Sequence, residues 1–92
     1  MNEELLLDQF EEIAEKLGIK VRYENVNMEE ASGTGGLCRI KGKYVLIIHS
    51  RATVIEKIGV MTKALRQFDL TDIYVRPVIR QLLEESGEEE NN

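Results

Sequence analysis

The sequence predicts a small α+β domain, a mainly antiparallel sheet of about three strands with three helices in the order α-β-β-β-α-α. Three observations carry this expectation. Two segments repeat apolar residues at helical spacing, near the start and near the middle of the chain. Between them lie β-rich runs, two of which flank Lys41-Gly42 as a hairpin would. The 92 residues, 42% of them hydrophobic and 32% charged, suffice for one core and not for two. A single domain is therefore expected over residues 1–87, with a disordered acidic tail over residues 88–92.

The first helix is expected from Glu3 to Leu17. Asn2 can cap it, Glu3 and Glu4 favour the positive end of the helix dipole, and Gly18 stands where a left-handed cap ends a helix. Leu6, Phe10, Ile13, Ala14 and Leu17 form its apolar stripe. Ile19, Val21 and Tyr23 then alternate with Lys20, Arg22 and Glu24, the period of a strand with one buried face. From Met28 to Gly36 there is no period and glycine recurs, so a mobile loop is expected there. If the hairpin turn has two residues, Cys38 lies opposite Val45 and Ile40 opposite Lys43. Cys38, Ile40, Val45, Ile47 and His49 then share one face.

Thr53 and Glu56 form a capping box before Ile55, Ile58, Met61, Thr62, Leu65 and Phe68, which predicts a second helix over 54–68. Gly59 inside it implies either a close approach to the sheet or a tolerated weak point. After a loop at Asp69 to Asp72 and an extended segment at Ile73-Tyr74-Val75, Pro77 opens a third helix. Val78, Ile79, Leu82 and Leu83 are expected to face inward, and Ser86-Gly87 to close that helix.

The net charge of −5 conceals three blocks. Residues 1–36 carry an excess of six negative charges, residues 37–80 an excess of six positive, and residues 81–92 five negative. A basic centre could face nucleic acid, yet it can equally pair with the acidic ends inside one fold. Nucleic-acid domains are usually basic overall, which favours internal pairing. With one cysteine there is no intrachain disulfide, no run of about 20 apolar residues suits a membrane, and the N-terminus lacks a basic signal region. A cytoplasmic protein without a membrane association is expected.

One histidine and one cysteine exclude zinc sites built from paired cysteines or histidines. No nucleophile-elbow glycine pattern surrounds Ser32, Ser50 or Ser86. The residues call for no cofactor and no metal.

The segment Gly35-Gly-Leu-Cys-Arg-Ile-Lys-Gly-Lys-Tyr-Val-Leu-Ile-Ile-His-Ser-Arg51, with the helix after Thr53, resembles the hairpin-plus-helix of zincin-like metallopeptidases that cleave phage-type repressors. Those enzymes carry HExxH on the helix. Lys63-Ala64-Leu65-Arg66-Gln67 stands about there in this chain, so both ligands and the general base are missing and the peptidase activity does not carry over. The chain also resembles a family of short uncharacterised bacterial proteins through its Gly-Gly-Leu-Cys-Arg and Tyr-x-x-Pro-x-x-Arg segments, a resemblance that implies no activity.

The remaining candidate site residues are Gly33, Gly35, Gly36, Cys38, His49, Arg51, Tyr74, Arg76 and Arg80. Backbone amides of the glycine loop could cradle phosphate, but it precedes a strand and lacks the Gly-Lys-Ser/Thr ending of a P-loop, so a connector is the favoured reading. Cys38 packs well as a small hydrophobe. A reactive thiol there would need His49 or Lys43 beside it. His49 ends a strand where side chains emerge into a cleft or solvent, giving a surface role or, beside Cys38 and Arg51, proton transfer or ligand binding. Tyr74, Arg76 and Arg80 could converge on a carboxylate or phosphate, against the simpler pairing with Asp69, Asp72 or the first helix.

Three functional readings follow. A non-catalytic binding or assembly module, acting as a homodimer or with a protein partner, asks for no missing residue and leads. A small ligand-binding or enzymatic domain built on Cys38, His49 and the arginines is the alternative, and nucleic-acid binding through the basic block is the third.

Overall fold

The computed structural model describes residues 2–25 and 35–90, with side chains up to Glu85. Its elements are α1 (Glu3–Lys16), β1 (Lys20–Glu24), β2 (Gly35–Ile40), β3 (Lys43–His49), α2 (Val54–Leu65) and α3 (Pro77–Glu90), the expected α+β order. The sheet order is β1-β3-β2. β2 and β3 are antiparallel, whereas β1 runs parallel to β3. The sheet is thus mixed, because β3, not β2, is its central strand.

Local chemistry sets the ends of α1. The Leu5 N–H donates to Asn2 Oδ1 at 2.8 Å. At the other end Gly18, with φ 79°, reverses the chain so that its N–H reaches the Glu15 carbonyl and the Ile19 N–H the Ala14 carbonyl at 2.9 Å. This is the paired-bond stop that a left-handed glycine permits, and it delivers Ile19 buried at the start of β1. Lys41 and Gly42 both have positive φ, the two-residue turn whose twist matches a hairpin. The register is therefore the expected one, with Cys38 opposite Val45 and Ile40 opposite Lys43.

The strand β2 begins at Gly35, inside the segment expected to be loop. Residues 26–34, including Gly33 and the rest of that loop, lie outside the described residues. Gly35 must be glycine for close approach: a Cβ there would sit 2.3 Å from the Ile47 carbonyl oxygen.

The helices pack on one sheet face. Leu46 and Ile48 of β3 meet Phe10, Ile13 and Ala14 of α1, Met61, Ala64 and Leu65 of α2, and Ile79 and Leu83 of α3 in one buried cluster. Tyr44 meets the Phe68 ring edge-on, centroids 4.9 Å apart. Thr53 and Glu56 form the capping box, with bonds of 2.9 and 3.1 Å.

Several details differ from expectation. α2 ends at Leu65, and Phe68 packs from the turn beyond it. Ile55 and Val78 are exposed instead of inward, while Leu7, Ala64 and Val75 belong to the buried cluster. Gly59 is open to solvent with nothing near its missing Cβ, so it is a tolerated weak point and not a close approach. α3 continues through Ser86 and Gly87 to Glu90, past the stop expected at Ser86-Gly87. Asn91 and Asn92 lie outside the described residues. Among the described residues no helix is long and apolar enough to cross a membrane.

Candidate functional site

Side chains alternate along β3, so the residues opposite the core cluster form a second face. Register assigns to it Val45, Ile47 and His49 on β3, Gly36, Cys38 and Ile40 on β2, and Lys20, Arg22 and Glu24 on β1. Lys43, across from Ile40, ends it at the hairpin. None of these side chains belongs to the helix-packed cluster. The centre is apolar: Val45 is 7% exposed and Ile47 half-buried, with the exposed Cys38 and Ile40 beside them. The rim is charged, and Arg22 Nη2 lies 2.6 Å from Glu24 Oε2.

His49 does not emerge from the sheet as expected. It ends the central strand and is only 8% exposed, and its Nδ1 accepts the Arg51 N–H at 3.3 Å. The bond fixes the proton on Nε2 when the ring is neutral. Cys38 and His49 share a face but not a site. Cys38 faces Val45, four residues before His49, which separates them by roughly 13 Å along the strand. Lys43 is the diagonal neighbour of Cys38. Arg51 is exposed in the turn after β3.

Tyr74, Arg76 and Arg80 are on the helical side and do not converge. Tyr74, 71% exposed, and Arg76 line a shallow cleft with Gln9, Glu12 and Lys16 of α1. Arg80 lines a different one with Asp69, Thr71 and Glu84. The Asp69 carboxylate accepts from the Thr71 hydroxyl and N–H, which holds its pKa below the usual value. The candidate residues therefore fall into three places: Gly35, Gly36, Cys38 and His49 on the sheet, Arg51 in its turn, and Tyr74, Arg76 and Arg80 over the helices.

The basic residues of the central block are likewise scattered. Arg39 points to the helix side, its guanidinium 5.3 Å from the Tyr44 ring centroid. Lys57 lies 5.1 Å over the Tyr23 ring. Lys43 alone of the block's lysines belongs to the open face by register.

One cluster had no sequence signal. The Tyr23 hydroxyl donates to a Glu11 oxygen while Lys57 covers the ring, so β1 is tied to both α1 and α2. Burial, then the Glu11 carboxylate, raises the pKa of Tyr23. Glu56 is held below the usual carboxylate value, chiefly by the Thr53 N–H. Lys63, Ala64, Leu65, Arg66 and Gln67, where the zincin motif would fall, occupy the last turn of α2 and the residues after it. Compared with family models, curated proteins and solved structures, the chain matches none.

Proposed function

We propose that this chain is a small cytoplasmic assembly module that docks protein on the open face of its sheet and performs no chemistry itself. The observation that carries this reading is the asymmetry of β3. Its outward residues Val45 and Ile47 form an apolar centre with charged residues at the rim, the anatomy of a protein interface, and no described helix covers them. The distance between Cys38 and His49 supports a non-catalytic role, since a thiol nucleophile needs its base within hydrogen-bond reach. The scatter of Arg39, Lys57 and Arg80 supports protein over nucleic acid, which favours one contiguous basic surface. The single cysteine fits a reducing compartment. The resemblance of its Gly-Gly-Leu-Cys-Arg segment to short bacterial proteins fits a bacterial origin.

The test joins sedimentation across a concentration series with binding of an apolar fluorescent dye, on the wild type and on Ile47→Asp. The wild type is expected to associate or to bind dye, and the variant to lose both while keeping its circular dichroism. A wild type that stays monomeric and binds no dye ends this reading.

A further inference from the structure

We infer that the occupant of the open face is a second copy of this chain, packed face to face about a two-fold axis that crosses the strands at the level of Arg22 and Ile47. This rests on the assembly reading above. The argument comes from the order of charges on the edge strand. β1 presents Lys20, Arg22 and Glu24 on the open face, a cation at one end and an anion at the other with Arg22 midway. A two-fold axis perpendicular to the strands reverses that order. Lys20 of each copy then faces Glu24 of the other, twice over, and Ile47 faces Ile47 at the centre.

The like-charged Arg22 pair near the axis is a conflict that the structure relieves: each guanidinium is already drawn to Glu24 of its own chain at 2.6 Å. An axis along the strands would instead set Lys20 over the uncharged Cys38 and leave Glu24 without a cation from the other copy. Three strands about 4.8 Å apart make a patch roughly 15 by 20 Å. That is small beside the ~800 Å² per partner of a standard interface, so a weak, reversible dimer is expected.

Charge reversal tests the arrangement on the full chain. Lys20→Glu and Glu24→Lys should each weaken self-association about ten-fold or more, because each turns two attractions into two repulsions. An equimolar mixture of the two variants should dimerise again, since one chain then carries carboxylates at both positions, the other carries ammonium groups at both, and opposite charges meet at each end. Sedimentation equilibrium reads all three samples, and circular dichroism confirms that each variant is folded. Wild-type-like association by either single variant overturns the two-fold arrangement, and with Ile47→Asp monomeric it leaves the assembly reading standing. Failure of the mixture to associate, or open-ended growth of the wild type by head-to-tail contacts, also overturns it. A wild type that is monomeric yet binds the apolar dye overturns self-pairing alone, and one that is monomeric without dye binding ends both.

Discussion

Along β3, alternate residues meet two different surroundings: Tyr44, Leu46 and Ile48 lie under three helices, whereas Val45, Ile47 and His49 face away from them. The first set is held by packing that is complete within one chain. The second lies outside that cluster: Val45 and His49 are buried all the same, while Ile47 is half-buried and Ile40 beside them exposed, and this remaining apolar surface gains from a further contact. On the proposed reading, the two faces of one strand divide stability from interaction.

The largest effect that should separate the faces is Leu46→Ala. Leu46 is fully buried, and its truncation is expected to cost about 2–5 kcal/mol in urea unfolding. Ile47→Ala, one residue on, should cost well under half as much in dilute solution; equal losses would erase the distinction. Gly35→Ala comes next, at roughly 1–3 kcal/mol, because its Cβ must displace the Ile47 backbone and so disturbs the strand that both faces share.

A pH series sharpens the helix side. Tyr23 has a raised pKa in the folded chain, so its contribution is fully present below the unfolded value near 10 and is lost as pH rises through the folded one. Tyr23→Phe should cost about 1 kcal/mol at neutral pH and flatten that alkaline loss. A variant with an unchanged alkaline slope would show that the Glu11 contact does not persist in solution. The smallest expected effect is a gain: Gly59→Ala should stabilise α2 by about 0.5–1 kcal/mol in thermal unfolding, since the position is open. A loss there would mean that Gly59 meets something outside the described residues.

Local signals in the sequence held where they were self-contained. The cap at Asn2, the stop at Gly18, the Thr53–Glu56 box and the Lys41-Gly42 turn each depend on residues within a few positions of one another, and each forms as expected. The hairpin turn fixed the register, so the grouping of Cys38, Ile40, Val45, Ile47 and His49 was legible. What stayed hidden depends on distant partners. Nothing in Lys20, Arg22 or Glu24 says that they pair in parallel with β3, and that pairing alone brings them to the same face. Ile55 and Val78 fit the helical period yet are exposed, because periodicity marks a face without saying how wide the covering is. His49 was expected at the surface because strand ends usually are, but it ends the central strand. The convergence of Arg76 and Arg80 failed for the same reason in reverse: one turn apart on the chain, they border clefts between different elements.

Cys38 reports on the open face directly, since it is exposed beside Val45. The rate at which a maleimide labels its thiol, measured from about micromolar to several hundred micromolar chain, tests the central claim. Burial of the face in an assembly predicts a labelling rate that falls several-fold with concentration in the wild type and stays constant in Ile47→Asp. A wild-type rate independent of concentration, in a sample that sedimentation finds associated, would put the contact elsewhere on the molecule and contradict the claim.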